Sequence, residues 1–300
     1  MNRIAIIGQS AFGAEVASEI SKIENVQIVG IITPSNQDKD PLYKFAIEEK
    51  LNVLRFKKLK SKEAINIFKE LRVDLLVMAY VTDIVPLEII NNPSKGTIQY
   101  HPSLLPIHRG PSSINWAVIN GDKKTGITIF WPDEGLDTGP ILLQEEVEIS
   151  NNDTTGSLYF NKLFPIGVNS MIKSIKLVLE NKAPRIKQKE QNATYESWCS
   201  TQQINWNKTP NEIYNLIRGC DPQPGAWTNI DSKKVFLYDC KLSDSNYKID
   251  KKFIIENNKI SIGLNDKKII LGRIKPEGGV KINAYEWFMT NNLTIDTKLG

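Results

Sequence analysis

RIAIIGQSAFGAEVASEISKI, Arg3 to Ile23, is the stretch that decides the fold. Arg3–Ile7 (RIAII) is an apolar run closed by a glycine, the pattern of a buried strand. GQSAFG, Gly8 to Gly13, is a turn. AEVASEISKI then sets Val16, Ile20 and Ile23 on one side at helical spacing. Strand, turn and helix in this order open a doubly wound α/β sheet. The turn is not GxGxxG, because Ser10 stands where the second glycine would be. It is not a P-loop either, because no Gly-Lys-Ser/Thr follows. The fold expectation therefore carries no claim on a dinucleotide, and an oxidoreductase reading is disfavoured.

The pattern repeats outward. VQIVGII (Val26–Ile32), NVLRF (Asn52–Phe56), DLLVMAY (Asp74–Tyr80) and GTIQYHP (Gly96–Pro102) read as further strands. LYKFAIEEK, Ser61–Leu71 and IVPLEIINNP (Ile84–Pro93) read as the helices between them. An α/β fold with an open, mostly parallel, Rossmann-like sheet follows. ILLQEEVEI (Ile141–Ile149) is another strand. One long amphipathic helix is expected after it, capped at Asp153 or Thr154, with Leu158, Phe164, Val168, Met171 and Ile175 inward. From Ala183 to Gln203 the pattern collapses into polar, proline-containing sequence. The expected organisation is a domain over 1–183, a linker over 184–203 and a second domain over 204–300. That last part holds a helix, Pro210–Arg218, and short runs such as VFLYDCKL and KISIGL. These suggest a small barrel or sandwich, with a β-rich, OB-like barrel as the expected form.

Composition narrows the class. Three hundred residues suffice for two domains. The hydrophobic content of 41% and charge of 24% fit a globular protein. No apolar run approaches the roughly 18 residues that a membrane span needs. The first residues enter a strand without a signal-peptide pattern, so a cytoplasmic location is expected. Cys199, Cys220 and Cys240 form no CxxC, which points to neither zinc nor a disulfide framework. The net charge of +4 mildly favours anionic substrates, yet is too small and diffuse to argue for DNA or other nucleic acid.

The chemistry concentrates between Ile98 and Gly139. Both histidines, His101 and His108, lie there, followed by the acidic DEGLDTG loop with Asp133, Glu134 and Asp137. His101 ends a parallel strand, where ligands of such sheets bind. HPSLLP carries two prolines, so the loop leaving that strand is stiff. If the strands pair, Asp137 approaches His101; a carboxylate there favours the imidazolium and orients the ring. Asp137 reads equally as a turn former in its Asp-x-Gly setting. Metal binding by the two histidines and an acid is disfavoured, because their spacing matches no common ligand pattern.

HPSLLP, the HRG after it, and DEGLDTG together resemble the signature of the folate-dependent formyltransferases. IGQSAFGAEV, YHPSLLPIHRGPSSINWAVINGDKKTG, LYFNKLFPIG, NATYESW and IRGCDPQPGAW extend the resemblance over most of the chain. They are most similar to the hydrolase domain of the 10-formyltetrahydrofolate dehydrogenases. The resemblance implies the formyltransferase fold and 10-formyltetrahydrofolate as formyl donor. It implies a pterin held near Met78, Ala79, Tyr80, Ile84 and Pro86, against the loop of Ser103, Leu104, Leu105, Pro106 and Gly110. It implies His101 and Asp137 as the catalytic pair.

Two departures qualify it. Family members usually carry an asparagine two residues before the histidine, donating to the oxyanion; here it is Gln99, one methylene longer. The loop Thr33–Pro41 is short, with Lys39 against Asp38 and Asp40, whereas the tRNA enzymes have a long basic loop. The expected acceptor is therefore water or a small amine, with methionyl-tRNA formyl transfer as one alternative and folate binding without catalysis as another. No aldehyde-dehydrogenase segment follows Gly300, so no dehydrogenase step is expected of this chain alone.

Overall fold

A computed structural model describes residues 1–300, with the side chains of residues 246 and 247 left aside. The chain divides into two compact units. The first comprises residues 1–110, 126–147 and 162–195; the second comprises 111–125, 148–161 and 196–300.

The first half alternates β1 (Asn2–Gly8), α1 (Ser10–Ser21), β2 (Val26–Ile32), α2 (Pro41–Glu48), β3 (Val53–Leu54), α3 (Lys62–Glu70), β4 (Leu75–Ala79), α4 (Leu87–Ile90) and β5 (Thr97–His101). Then come α5 (Ser113–Ile119), β6 (Lys124–Phe130) and β7 (Ile141–Glu148). The seven strands form one sheet in the order β3-β2-β1-β4-β5-β6-β7. From β3 through β5 the neighbours are parallel, and β6 runs antiparallel to β5. Strand order reverses between β1 and β4, which makes their carboxyl ends the expected ligand crevice. Ile4, Ile6, Leu75, Leu76 and Val77 are fully buried, each contributing about 1.5–3 kcal/mol. Their unbroken apolar runs are legible because helices cover both faces of a parallel sheet.

Asp40 ties the opening turns together. Its Oδ1 accepts from Leu42 N and Tyr43 N, capping α2, while Oδ2 accepts from Ser10 N at 2.7 Å. Gly8 is obligatory where β1 passes β4: a Cβ there would stand 2.3 Å from the Ala79 carbonyl oxygen.

Some elements differ from expectation. The helix foreseen over Ile84–Pro93 shrinks to α4, which starts only after Pro86. The long helix after residue 153 is broken. Thr154 caps α6 (Thr155–Leu158) through a capping box with Ser157, a π-helical turn spans Tyr159–Leu163, and α7 (Phe164–Leu179) follows. Pro165, in the first turn of α7, has no amide to continue the helical ladder. α5 was not foreseen.

The second unit adds β8 (Gln202–Gln203), α8 (Pro210–Gly219), β9 (Ala226–Ile230), β10 (Lys233–Tyr238), β11 (Lys241–Glu256), β12 (Lys259–Leu271), β13 (Arg273–Pro276), β14 (Ile282–Asn283) and an unforeseen α9 (Ala284–Thr290). It is β-rich, as expected. Its strands pair as a five-stranded sheet, β14-β13-β10-β9-β8, and a two-stranded ribbon, β11-β12, rather than one closed ring. Ile217, Val235, Leu237, Ile260, Ile262 and Phe288 are among its buried core residues.

Candidate active site

His101 closes β5, and alternation puts Gln99 on the same face of that strand while Tyr100 points the other way. Tyr100 is buried against Phe12, ring centroids 4.1 Å apart, which anchors the strand from beneath. The imidazole is held at Nε2 and faces a carboxylate at Nδ1. Nε2 lies 2.8 Å from the backbone oxygen of His108. A carbonyl only accepts, so Nε2 carries the hydrogen and the neutral ring presents its lone pair at Nδ1. Nδ1 stands 3.5 Å from Asp137 Oδ2. The two residues are 6% and 7% exposed, so little water screens the pair.

Asp137 reaches that position from the loop between β6 and β7. Its φ of +55° is left-handed, a conformation aspartate tolerates better than most residues. Asp133 Oδ1 accepts from Gly135 N and Thr138 Oγ1, which folds the loop on itself. Trp131 N donates to Pro140 O and closes its base. Gly139 is required at this closure, since a Cβ would come 1.8 Å from the Trp131 oxygen. Gly110 N donates to Asp137 Oδ2 at 2.8 Å. The carboxylate is thus aimed by one backbone amide and stands opposite Nδ1 of the imidazole.

The residues expected to hold a pterin separate by exposure. Tyr80 is 42% and Ile84 88% exposed; Pro86, Leu104 and Pro106 are half-buried. Met78, Ala79, Ser103 and Leu105 are buried. Ser103 Oγ donates to Ile107 O at 2.6 Å, and Leu105 N donates to Thr128 Oγ1 at 3.1 Å. Those groups are spent on holding the loop. Gly110 is engaged with Asp137. The amide of Gln99 has no hydrogen-bond partner among the described residues.

A cavity of ≈ 440 Å³ lies at the carboxyl ends of β1, β2 and β4, lined by Gln9, Thr33, Phe56, Tyr80 and Thr82 among others. It occupies the crevice where strand order reverses. The register that pairs Met78 with Gln99 brings the chain at Tyr80 level with His101. Gln9 Oε1 and Thr33 Oγ1, on residues lining this cavity, are buried and without a hydrogen-bond partner among the described residues.

Composition pointed away from one contributor altogether. Residues 184–195, expected to be linker, belong to the first unit and run along the loops of the site. Trp131 Nε1 donates to Pro184 O, and Ile186 exchanges both backbone hydrogen bonds with Ile141. Gln188 Nε2 donates to the carbonyls of Asp137 and Gly139. Arg109, with no exposed surface, donates to Gln188 Oε1, to both Glu190 oxygens and to Tyr195 Oη. Those hydrogen bonds to Glu190 hold the Arg109 pKa above its ordinary value and the Glu190 pKa below it. Thr194 Oγ1 accepts from His108 N, and Thr194 O accepts from Arg109 N. The one sequence signal for this role was NATYESW, which contains Thr194 and Tyr195.

Among the described residues, no group of three His, Cys, Asp or Glu is placed to hold a metal ion. No helix among them is long and apolar enough to cross a membrane.

Comparison with known proteins identifies the family. The formyl transferase family profile matches residues 2–173, and that of the formyl transferase C-terminal domain matches 200–292. The mitochondrial 10-formyltetrahydrofolate dehydrogenase of Homo sapiens is 38% identical over 98% of this chain. The chain spans about a third (34%) of that relative's length. The methionyl-tRNA formyltransferase of Clostridioides difficile (strain 630) is 32% identical over 92% of this chain and 93% of its own. Among solved structures, the sugar 3N-formyl transferase WlaRD superposes with a TM-score of 0.71 over 90% of this chain and 97% of its own, at 23% identity. HypX from Aquifex aeolicus gives 0.70 over 98% of this chain and 50% of its own, at 15% identity. At such identities these two likenesses speak for the fold. The profile match and the full-length relative speak for descent: the chain belongs to the formyl transferase family.

Proposed function

We propose that this chain takes the formyl group from 10-formyltetrahydrofolate and delivers it to water or to a small amine, leaving tetrahydrofolate. The observation that carries this reading is the His101–Asp137 pair, a tautomer-fixed imidazole facing a buried carboxylate at 3.5 Å. The nucleophile attacks the formyl carbon and gives its proton to Nδ1 of His101, and Asp137 stabilises the imidazolium. That proton then passes to the departing folate nitrogen. Gln99, with its amide unengaged on the same strand face, is assigned to the developing oxyanion. The folate would rest against Tyr80, Ile84 and Pro86 and against Leu104 and Pro106. Met78, Ala79, Ser103, Leu105 and Gly110 would shape those walls through backbone and packing.

Water is preferred as acceptor, because the dehydrogenase relatives align over nearly the whole chain. Methionyl-tRNA is the rival acceptor, on the strength of the full-length tRNA-enzyme relative. Against it, both aspartates of the Thr33–Pro41 loop remain acidic partners within the protein, Asp38 to Arg55 and Asp40 to α2. The proposed location is cytoplasmic, like that of the cytosolic dehydrogenases among its relatives, some others of which are mitochondrial.

One assay separates these readings. The protein is incubated with 10-formyltetrahydrofolate alone, with small amines, and with initiator tRNA, and tetrahydrofolate is followed. Turnover without an added acceptor is expected. Turnover only with tRNA would replace the proposal with the rival, and binding without turnover would make the protein a folate binder.

A further inference from the structure

We propose that Gln188 is a positioning residue for the catalytic pair: its amide sets the height and tilt of the loop that carries Asp137. This inference rests on the reading of His101 and Asp137 given above.

The Asp137 carboxylate reaches the imidazole from an irregular loop, so something outside the sheet must hold that loop. Gln188 is placed to do so. One Nε2 hydrogen goes to the Asp137 carbonyl at 2.8 Å and the other to the Gly139 carbonyl at 2.7 Å. The amide thus spans the residues on either side of Thr138. Its oxygen accepts from Arg109 Nε at 3.2 Å and Nη2 at 2.8 Å. The amide orientation is therefore chemically determined. Turned over, it would set NH₂ against a guanidinium and an oxygen against two carbonyls. Gln188 is 4% exposed, so water is poorly placed to replace these bonds.

The partner on the oxygen side matters as much. Arg109 is pinned by Glu190 and Tyr195, and its chain neighbours make the other contacts of the site. His108 O receives His101 Nε2, and Gly110 N reaches Asp137 Oδ2. Gln188 therefore joins the segment that orients His101 to the segment that bears Asp137. A shift on either side changes the 3.5 Å separation between Nδ1 and the carboxylate.

The test is Gln188→Met, which nearly keeps the volume and removes both donors and the acceptor. Misplacing a catalytic group by about 1 Å costs up to 10²-fold. The expected result is a kcat lower by roughly 10-fold to 10²-fold with an unchanged KM for 10-formyltetrahydrofolate. In an Asp137→Asn background the same substitution should cost nothing further, since Gln188 acts through Asp137. A readout without turnover is also at hand. The chain has two histidines, so their imidazole ¹⁵N resonances can be assigned by removing one. The His101 Nδ1 resonance should move in Gln188→Met in the direction that it moves in Asp137→Asn.

A lower melting temperature with kcat and the His101 resonance both unchanged would overturn the proposal. So would a full additional loss in the Asp137→Asn background. If the wild-type protein does not turn over 10-formyltetrahydrofolate, the reaction assignment fails, and the resonance still decides the role of Gln188. Should Gln188→Met not fold, Gln188→Asn keeps an amide one methylene short. A His101 resonance unmoved in that variant would likewise count against the proposal.

Discussion

His101 and Asp137 stand 3.5 Å apart and are held by opposite means. His101 ends a regular strand whose position follows from apolar burial: Ile98 and Tyr100 sink beneath it, and Phe12 packs on the tyrosine. Asp137 sits on an irregular loop held by polar contacts, from Gly110, from the Asp133 turn, and from residues 184–195. Hydrophobic burial is non-directional and roughly proportional to area, so it tolerates small displacements. Buried hydrogen bonds are directional, and losing one partner costs the desolvation of the other. The strand side should therefore be robust, with its sensitivity in the reacting groups. The loop side should be sensitive in its supports as well.

The largest expected effect is on the reacting groups. His101→Ala and Asp137→Ala should each lower formyl release from 10-formyltetrahydrofolate by on the order of 10²–10⁴-fold or more. Near-wild-type initial rates in either would remove the pair from the mechanism. The next effect belongs to Gln99. Gln99→Ala should lower kcat by about 10²–10³-fold if its amide serves the oxyanion, while Gln99→Asn should retain or raise activity. An unchanged rate in Gln99→Ala would take the strand's third residue out of the chemistry.

The support side is tested through stability. Gly139→Ala puts a methyl against the Trp131 carbonyl and should cost at least 1–3 kcal/mol, roughly, in denaturant unfolding. A neutral result would mean that the loop closure gives way easily, which breaks the contrast drawn above. The smallest effect is expected at Glu190, whose side chain is 61% exposed. Arg109 holds its carboxyl below the usual range, so the stabilisation is present above the ordinary glutamate pKa. It is lost as pH falls through the lowered folded value. The melting-temperature advantage of the wild type over Glu190→Gln should therefore be present at neutral pH and shrink below about pH 4. An advantage that persists undiminished in acid would show that the ion pair is not its source.

The same contrast explains what was legible beforehand. The strand runs of β1, β2 and β4 announce themselves, because burial on both faces leaves them mostly apolar, with β4 (LLVMA) wholly so. HPSLLP and DEGLDTG marked the two loops that the structure brings together, since stiff turns and a histidine at a strand end are local properties, while the pairing itself was suggested by the family resemblance. Gln188 and Glu190 were invisible as site residues. A polar run such as KQKEQNAT has the composition of a solvated linker, and no periodicity marks the residues that turn inward. The contribution of His108 here is a backbone oxygen, which side-chain identity does not encode.

The sequence by itself determined the α/β architecture and the β-rich C-terminal part, because each rests on local pattern, and its resemblance to the formyltransferases put forward His101 and Asp137 as a pair. Only the tertiary structure decided how that pair is held. It broke the long helix before Pro165, paired the C-terminal strands as a sheet and a ribbon, and laid residues 184–195 along the loops of the site. The physical reason is the range of the forces involved. Burial patterns repeat along the chain at the period of a helix or a strand. A hydrogen bond between Gln188 and Asp137 joins residues far apart in sequence, and no spacing within either segment records it.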